Sequence, residues 1–162
     1  MDRTKSADTI AYDAGDKPFD FVEEGRKTAL VCESDDALRD KLIVALEGIG
    51  YYVTRGTVTP SALRRMRAHV YDLIIVGDNY DEGDILGYVR NLPMGVRRNI
   101  FVILLSDTIR TMDNMAAFGM SVNIIINREN IDDADVIIQN GIADNAAFYR
   151  FFREAMKETG RL

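Results

Sequence analysis

The chain of 162 residues has one cysteine, one histidine and no tryptophan. A single cysteine, Cys32, excludes an internal disulfide and a cysteine-based zinc site, and with one histidine a transition-metal site would need mostly carboxylates. No apolar run approaches the roughly 20 residues of a membrane-spanning helix. The first residues, Met-Asp-Arg-Thr-Lys, lack the apolar segment of a secretory signal. We therefore expect a cytoplasmic protein that makes no membrane contact.

The sequence also lacks an excess of positive charge and the common catalytic motifs. Its 26 acidic and 20 basic residues give a net charge of −6, so no general affinity for nucleic acid is expected. It contains no GxGxxG, P-loop or G-x-Ser-x-G motif and no evident Cys–His pairing. Cys32 is expected to be a buried small hydrophobe and His69 a surface residue. These absences predict a protein that is not an enzyme and binds no cofactor.

What the sequence does contain is a regular alternation of apolar strands and amphipathic helices. Residues 71–80, Tyr-Asp-Leu-Ile-Ile-Val-Gly-Asp-Asn-Tyr, carry an unbroken aliphatic run, typical of a strand buried on both faces of a parallel sheet. Four similar strands are expected near residues 29–32, 51–54, 100–105 and 122–126. Helical spacing between them predicts an α/β three-layer sandwich with a five-stranded parallel sheet of flavodoxin-like type.

Three regions are expected along the chain. Residues 1–27 are polar and predict a flexible leader or linker, from which Phe19, Phe21 and Val22 could dock on the domain. Residues 28–140 form the α/β domain, with a fourth helix expected over residues 111–118. Residues 141–162 are a helical extension, and Gly141 is a candidate break in the long last helix.

Three segments of the chain resemble the receiver domains of bacterial response regulators. They are Ala-Leu-Val-Cys-Glu-Ser-Asp-Asp-Ala-Leu-Arg at residues 29–39, Tyr-Asp-Leu-Ile-Ile-Val at residues 71–76 and Phe-Val-Ile-Leu-Leu-Ser at residues 101–106. The chain is also similar to the receiver-like domains that follow a zinc ribbon in some bacterial proteins, although it contains no ribbon itself. The resemblance implies a CheY-like, receiver-type fold and a role in two-component signal transduction.

The resemblance also implies five site positions, and the chain keeps few of them. Family members hold Mg²⁺ with an acidic pair, and here that pair is Glu33 and Ser34. The phosphorylated aspartate corresponds to Gly77, which has no side chain. Ser106 fits the hydroxyl position, whereas the conserved lysine corresponds to the uncharged Asn127. These departures predict a non-catalytic pseudo-receiver that is not controlled by aspartyl phosphorylation.

Two alternatives to a pseudo-receiver remain. Asp78 lies one residue beyond the acceptor position and could accept phosphate, with Mg²⁺ as its cofactor, and Arg128 could supply the missing lysine's charge. Because a shift of one residue turns a strand's side chain to the opposite face, neither is expected to reach the site. The other alternative is an α/β domain that binds a small ligand beside Gly77 and Ser106.

Metal binding without phosphorylation would use the acidic residues at the strand ends. Glu33, Asp35 and Asp78 are weak candidate ligands, and Asp36 and Asp81 could bind the same divalent ion. Hard cations require oxygen ligands that converge on one point. Acidic residues at strand ends more often cap helices and turns, so we expect no metal site.

The last helix carries more aromatic surface than a helix end normally exposes. Phe148, Phe151, Phe152 and Met156 recur at helical spacing and form a candidate interface. It would be covered either by this domain or by a protein partner or a second copy of the chain. In receivers the fourth and fifth helices and the fifth strand often form the dimer face, so the resemblance favours a homodimer slightly.

Overall fold

A computed structural model of the chain describes residues 25–56 and 58–160. Five strands are formed, namely β1 (Thr28–Cys32), β2 (Tyr52–Arg55), β3 (Leu73–Gly77), β4 (Phe101–Ser106) and β5 (Ile124–Asn127). The α-helices are α1 (Asp36–Gly48), α2 (Thr59–Ala68), α3 (Asp84–Arg90), α4 (Met94–Arg97), α5 (Asn114–Met120) and α6 (Ala134–Glu158). A 3₁₀ helix, Arg128–Asp133, joins β5 to α6. Most of the predicted leader, including Phe19, Phe21 and Val22, lies outside the described residues.

The five strands form one parallel sheet in the order β2-β1-β3-β4-β5. Gly77 at the end of β3 pairs with Leu105, and Ser106 at the end of β4 pairs with Asn127. Parallel strands present their carboxyl ends at the same edge of a sheet, where sites in such folds collect. The predicted site positions therefore lie along one edge.

The unbroken apolar runs of the strands supply two cores, one on each face of the sheet. Ala29 and Val31 face a cluster completed by α1 and α6, whereas Leu30 and Cys32 face a cluster completed by α2, α3 and α5. Successive residues of a strand point to opposite faces, so a strand covered on both sides must be apolar throughout. This arrangement confirms the predicted three-layer α/β sandwich.

Local sequence sets where the first two helices begin. The Asp35 side chain accepts a hydrogen bond from the Leu38 N–H at 3.0 Å and caps α1, as predicted from the acidic residues that precede the helix. Helix α2 has Pro60 in its first turn, where proline's missing N–H costs no hydrogen bond. Both helix starts therefore follow from the local sequence.

The structure corrects the prediction of where the fourth helix begins. The helix α5 begins at Asn114 rather than at residue 111, because Met112 has a left-handed backbone (φ 61°) and Asp113 caps the helix instead. A non-glycine residue with positive φ cannot belong to a right-handed helix. A short helix after Pro93, α4, was not predicted.

The candidate helix break at Gly141 was also wrong, since α6 runs continuously from Ala134 to Glu158. Gly141 is buried, and a Cβ there would lie 3.2 Å from both Ile124 and Phe101. The glycine therefore allows α6 to approach the sheet closely. The boundary proposed at residue 141 falls inside this helix. Among the described residues, no helix is long and apolar enough to cross a membrane.

Candidate functional site at the carboxyl edge of the sheet

The centre of the candidate site is the space beside Gly77. A Cβ atom on Gly77 would lie 2.6 Å from Glu33 Oε2 and 2.8 Å from Arg128 Nη2. Real Cβ atoms do not approach polar atoms so closely, so the space that a side chain would need is already filled. Gly77 does not have positive φ. Close approach, rather than backbone conformation, therefore requires glycine here.

The group that fills this space is the guanidinium of Arg128. Its Nη2 donates to Glu33 Oε2 at 3.1 Å and to Asn79 Oδ1 at 2.8 Å. Its Nη1 donates to Asp78 Oδ1 at 2.7 Å and forms an ion pair with Asp107 at 3.1 Å. The ends of β1, β3, β4 and β5 are thus joined by one cation. Arginine suits this position because its planar fork carries several donors in fixed directions.

The placement of Arg128 and Asp78 contradicts the expectation that both would turn away from the site. Alternation between faces holds within a strand. Asp78 follows the last residue of β3, and Arg128 is the first residue of the 3₁₀ helix after β5. Outside the strands the alternation no longer applies, so both side chains turn to the carboxyl edge and meet each other.

Burial makes this cluster electrostatically strong. The Glu33 side chain is 0% exposed and that of Arg128 is 10% exposed, whereas that of Asp78 is 32% exposed. Burial alone would lower the pKa of Arg128, but hydrogen bonds to Asp78 and Glu33 and the negative charge of Glu33 raise the net pKa above the ordinary arginine value. Arg128 is therefore a permanent cation in this site.

Ser106 and Asn127 occupy the predicted positions, but their side chains bind nearby backbone. Ser106 is buried, and its Oγ accepts hydrogen bonds from the Thr108 and Ile109 N–H groups at 3.1 Å. Asn127 donates to the Ile109 carbonyl at 3.0 Å and accepts from the Glu129 N–H at 3.0 Å. Both side chains therefore fix the loops that follow β4 and β5.

The exposed residues near the acidic pair are also engaged in local structure. Ser34 is exposed, and Asp35 caps α1. Asp36 pairs with Arg39 within α1. Asp81 accepts hydrogen bonds from the Gly83 and Ile85 N–H groups.

These residues do not fit the Mg²⁺ that the receiver resemblance implies. Glu33 accepts hydrogen bonds from Arg128 and from the Asp35 N–H, and Asp78 accepts one from Arg128. Asp35 accepts a hydrogen bond from the first turn of α1. Across residues 25–56 and 58–160, no group of three or more His, Cys, Asp and Glu side chains is placed to hold a metal ion. The guanidinium lies between these carboxylates, where a hard cation would be held, and two cations in one place repel each other.

Cys32 and His69 have the structural roles expected from the sequence, with one difference. Cys32 is fully buried, and burial followed by the charge of Asp81 raises the pKa of its thiol above the ordinary value. His69 is half-buried and its Nε2 lies 2.9 Å from Thr28 Oγ1, so it is less exposed than predicted. Burial lowers the pKa of His69, and the charge of Asp72 opposes that effect.

The predicted aromatic face of α6 is exposed in the part of the chain that the structure describes. Phe148, Phe151 and Phe152 are 66%, 76% and 47% exposed, and Met156 is half-buried. A second exposed apolar pair, Met115 and Phe118 on α5, was missed. Their positions in a short helix gave no clear periodicity from which exposure could be predicted.

By sequence, no family profile and no curated protein matches the chain. The fold, however, matches solved structures. A response regulator from Chloroflexus aurantiacus is 20% identical with a TM-score of 0.59, over 73% of this chain and 98% of its own. The structure of a CheY-like receiver domain from Methanospirillum hungatei gives 14% identity and a TM-score of 0.59, covering 76% and 98%.

An orphan response regulator of H. pylori is 19% identical with a TM-score of 0.56, over 72% of this chain and 97% of its own. The chain has the receiver fold. The fold expected from the three segments quoted above is therefore confirmed. At the carboxyl edge of this sheet, Arg128 lies beside Gly77 as described above.

Proposed function

We propose that this receiver-fold domain is a non-catalytic pseudo-receiver that signals through protein contacts and is not phosphorylated. The observation that carries the proposal is the position of Arg128. Its guanidinium contacts Glu33, Asp78 and Asp107 beside Gly77, where a side chain on residue 77 would otherwise lie. Residue 77 thus offers no acceptor side chain, and the carboxylates of Glu33, Asp78 and Asp107 are engaged by the guanidinium.

Arg128 also explains why the loops at the carboxyl edge of the sheet need no phosphoryl group to stay ordered. In phosphoryl transfer to a carboxylate, metal ions and cations neutralise the negative charges that are brought together. Here the carboxylates of Glu33, Asp78 and Asp107 are brought together by a cation of the chain itself. The loops after β1, β3, β4 and β5 are therefore held in one arrangement without a ligand, so we expect the module not to be switched at this edge.

Incubation with Mg²⁺ and acetyl phosphate, a small phosphoryl donor, should give no phosphorylated protein. We expect the intact mass of the chain to stay unchanged, because Asp78 is bound to Arg128. A phosphorylated species that is absent in an Asp78→Asn variant would instead identify an atypical receiver. A response regulator of known activity serves as the positive control for the donor.

The signalling contact of this module is proposed to be the outer face of α6. Phe148 and Phe151 lie next to each other on a single exposed stripe of the helix, with 66% and 76% of their surface in contact with solvent. Exposed apolar stripes of this kind mark protein interfaces. A second copy of the chain is the simplest partner, since one exposed stripe can pair with its symmetric equivalent.

Sedimentation velocity over a range of concentrations tests this interface. We expect a dimer for the wild type and a monomer for the Phe148→Ser/Phe151→Ser variant, because the variant removes apolar area that the dimer would bury. Replacing Val44, which is exposed on α1, with serine should leave the dimer unchanged. A wild type that stays monomeric contradicts the dimer. The partner of this face of α6 would then be a different protein.

A further inference from the structure

Beside α6 lies a groove of about 590 Å³, which is lined by Phe152 and Met156 of the aromatic face but not by Phe148 or Phe151. Its floor is apolar and comes from Tyr149, Phe152 and Met156. The turn before β4 contributes Arg98 and Asn99 to its lining. A groove of this size with an aromatic floor can accommodate a few apolar side chains of a peptide segment.

The rim of this groove is basic although the chain as a whole carries a net charge of −6. Arg98, Arg150, Arg153 and Lys157 line it, against the single acid Glu154. Within residues 25–56 and 58–160, none of these four cations forms an ion pair. An apolar floor with a basic rim is complementary to a segment in which apolar and acidic residues are interleaved.

The chain contains such a segment directly before β1. Residues 18–24 read Pro-Phe-Asp-Phe-Val-Glu-Glu, with three apolar side chains from Phe19 to Val22, three acids and no basic residue. They lie outside the residues that the structure describes. Their composition matches both halves of the groove, the apolar floor and the basic rim.

The path of the chain delivers this segment to the groove. Lys27, the residue before β1, lines a neighbouring cavity together with Ala143 and Ala146 of α6, and Ala146 also lines the basic groove. The six residue steps from Pro18 to Glu24 span up to about 20 Å when extended, whereas the ten steps along α6 from Ala146 to Met156 rise about 15 Å. Residues 18–24 are therefore long enough to lie along the groove.

We propose that residues 18–24 bind in cis to the groove between α6 and the turn before β4. Phe19 and Phe21 would cover the apolar floor, and the three acids would pair with the basic rim. Tethering keeps the segment at a high effective concentration, so weak contacts suffice for binding. The contact would connect whatever precedes β1 to the helix that carries the exposed aromatic stripe. It does not depend on the absence of phosphorylation.

Paramagnetic relaxation in the full chain tests the proposal. A nitroxide is attached to an Asp16→Cys variant, and the buried Cys32, whose pKa is raised, stays unlabelled. We expect strong broadening of the amide resonances around Tyr149 and Arg153 and none around Arg64 on α2. The broadening should disappear when Phe19→Ser and Phe21→Ser are added to the spin-labelled Asp16→Cys variant.

Charge reversals supply the matched control. Arg150→Glu/Arg153→Glu should abolish the broadening, whereas Arg64→Glu/Arg67→Glu, an equal change on α2, should preserve it. Broadening elsewhere on the domain, or none at all, overturns the proposal. So does broadening seen only when spin-labelled protein is mixed with an unlabelled ¹⁵N-enriched copy, because the segment would then bind a second molecule.

Discussion

Replacement of Arg128 with methionine should lower the free energy of unfolding by about 3–5 kcal/mol, the range for removing one partner of a buried ion pair. Methionine keeps much of the side-chain length but removes the charge. The carboxylate of Glu33, whose side chain is 0% exposed, then loses its cation and faces Asp78 and Asp107 across the vacated space. Equilibrium unfolding in urea, followed by far-UV circular dichroism, measures the change.

A surface ion pair provides the control for this prediction. Lys41 and Asp132 lie 3.0 Å apart with side chains 55% and 81% exposed, so Lys41→Met should cost only about 0–1 kcal/mol. In a double-mutant cycle, adding Glu33→Gln to Arg128→Met should recover part of the lost stability, since glutamine leaves no charge to compensate. If Arg128→Met costs no more than Lys41→Met, Arg128 does not hold the site together.

Substitution of alanine for Gly77 should lower the free energy of unfolding by about 1–3 kcal/mol, as expected for overpacking a filled site. The added methyl group would have to displace Glu33 Oε2 at 2.6 Å and Arg128 Nη2 at 2.8 Å. These are side-chain ends, but both are buried and bound to each other, so neither moves without loss of their ion pair. The same urea titration measures the effect.

Gly87 in the interior of α3 is the matched glycine. Apart from its chain neighbours and the backbone of its own helix, a Cβ there would meet no described atom within 4 Å. Alanine in a helix interior stabilises by about 0.5–1 kcal/mol relative to glycine. Gly77→Ala and Gly87→Ala should therefore change stability in opposite directions. Equal effects of the two substitutions would contradict the close approach of Arg128 to residue 77.

The receiver fold was predictable because its signals are local and repeated. Each central strand is an unbroken apolar run, and each run is followed by acidic or polar residues that end it, as at Gly77 and Ser106. Periodic apolar residues then place a helix between successive strands. These patterns follow from burial on both faces of a parallel sheet, which leaves few other sequences compatible with the fold.

The occupation of the space beside Gly77 by Arg128 was harder to predict, because it depends on where long side chains turn after a strand has ended. Loss of side chain at Gly77 and loss of charge at Asn127 were both visible in the sequence. The compensating cation was assigned to the wrong face, because strand alternation was extended to Arg128 beyond the end of β5. Gly141 was misjudged for a related reason, since its use in close packing depends on Ile124 and Phe101, which are distant in sequence.

Together, Gly77 and Arg128 form a complementary pair. An aspartate at residue 77 would compete with Glu33 for the guanidinium and for the same space, whereas glycine leaves room for it. Conversely, the guanidinium removes the need for a metal to hold the carboxylates of Glu33 and Asp78 near each other. The fixed edge that we propose therefore requires both residues.

The most direct test of this fixed edge is an amide NMR titration with Mg²⁺ and then with beryllofluoride, which mimics a phosphoryl group on a carboxylate. We expect the resonances of Gly77, Asp78 and Ser106 to stay unchanged through millimolar concentrations of both. Saturable shifts at these residues that vanish in an Asp78→Asn variant would contradict the pseudo-receiver and show a phosphorylatable switch. Saturable shifts with Mg²⁺ alone would equally contradict it, by showing that Arg128 does not exclude a metal.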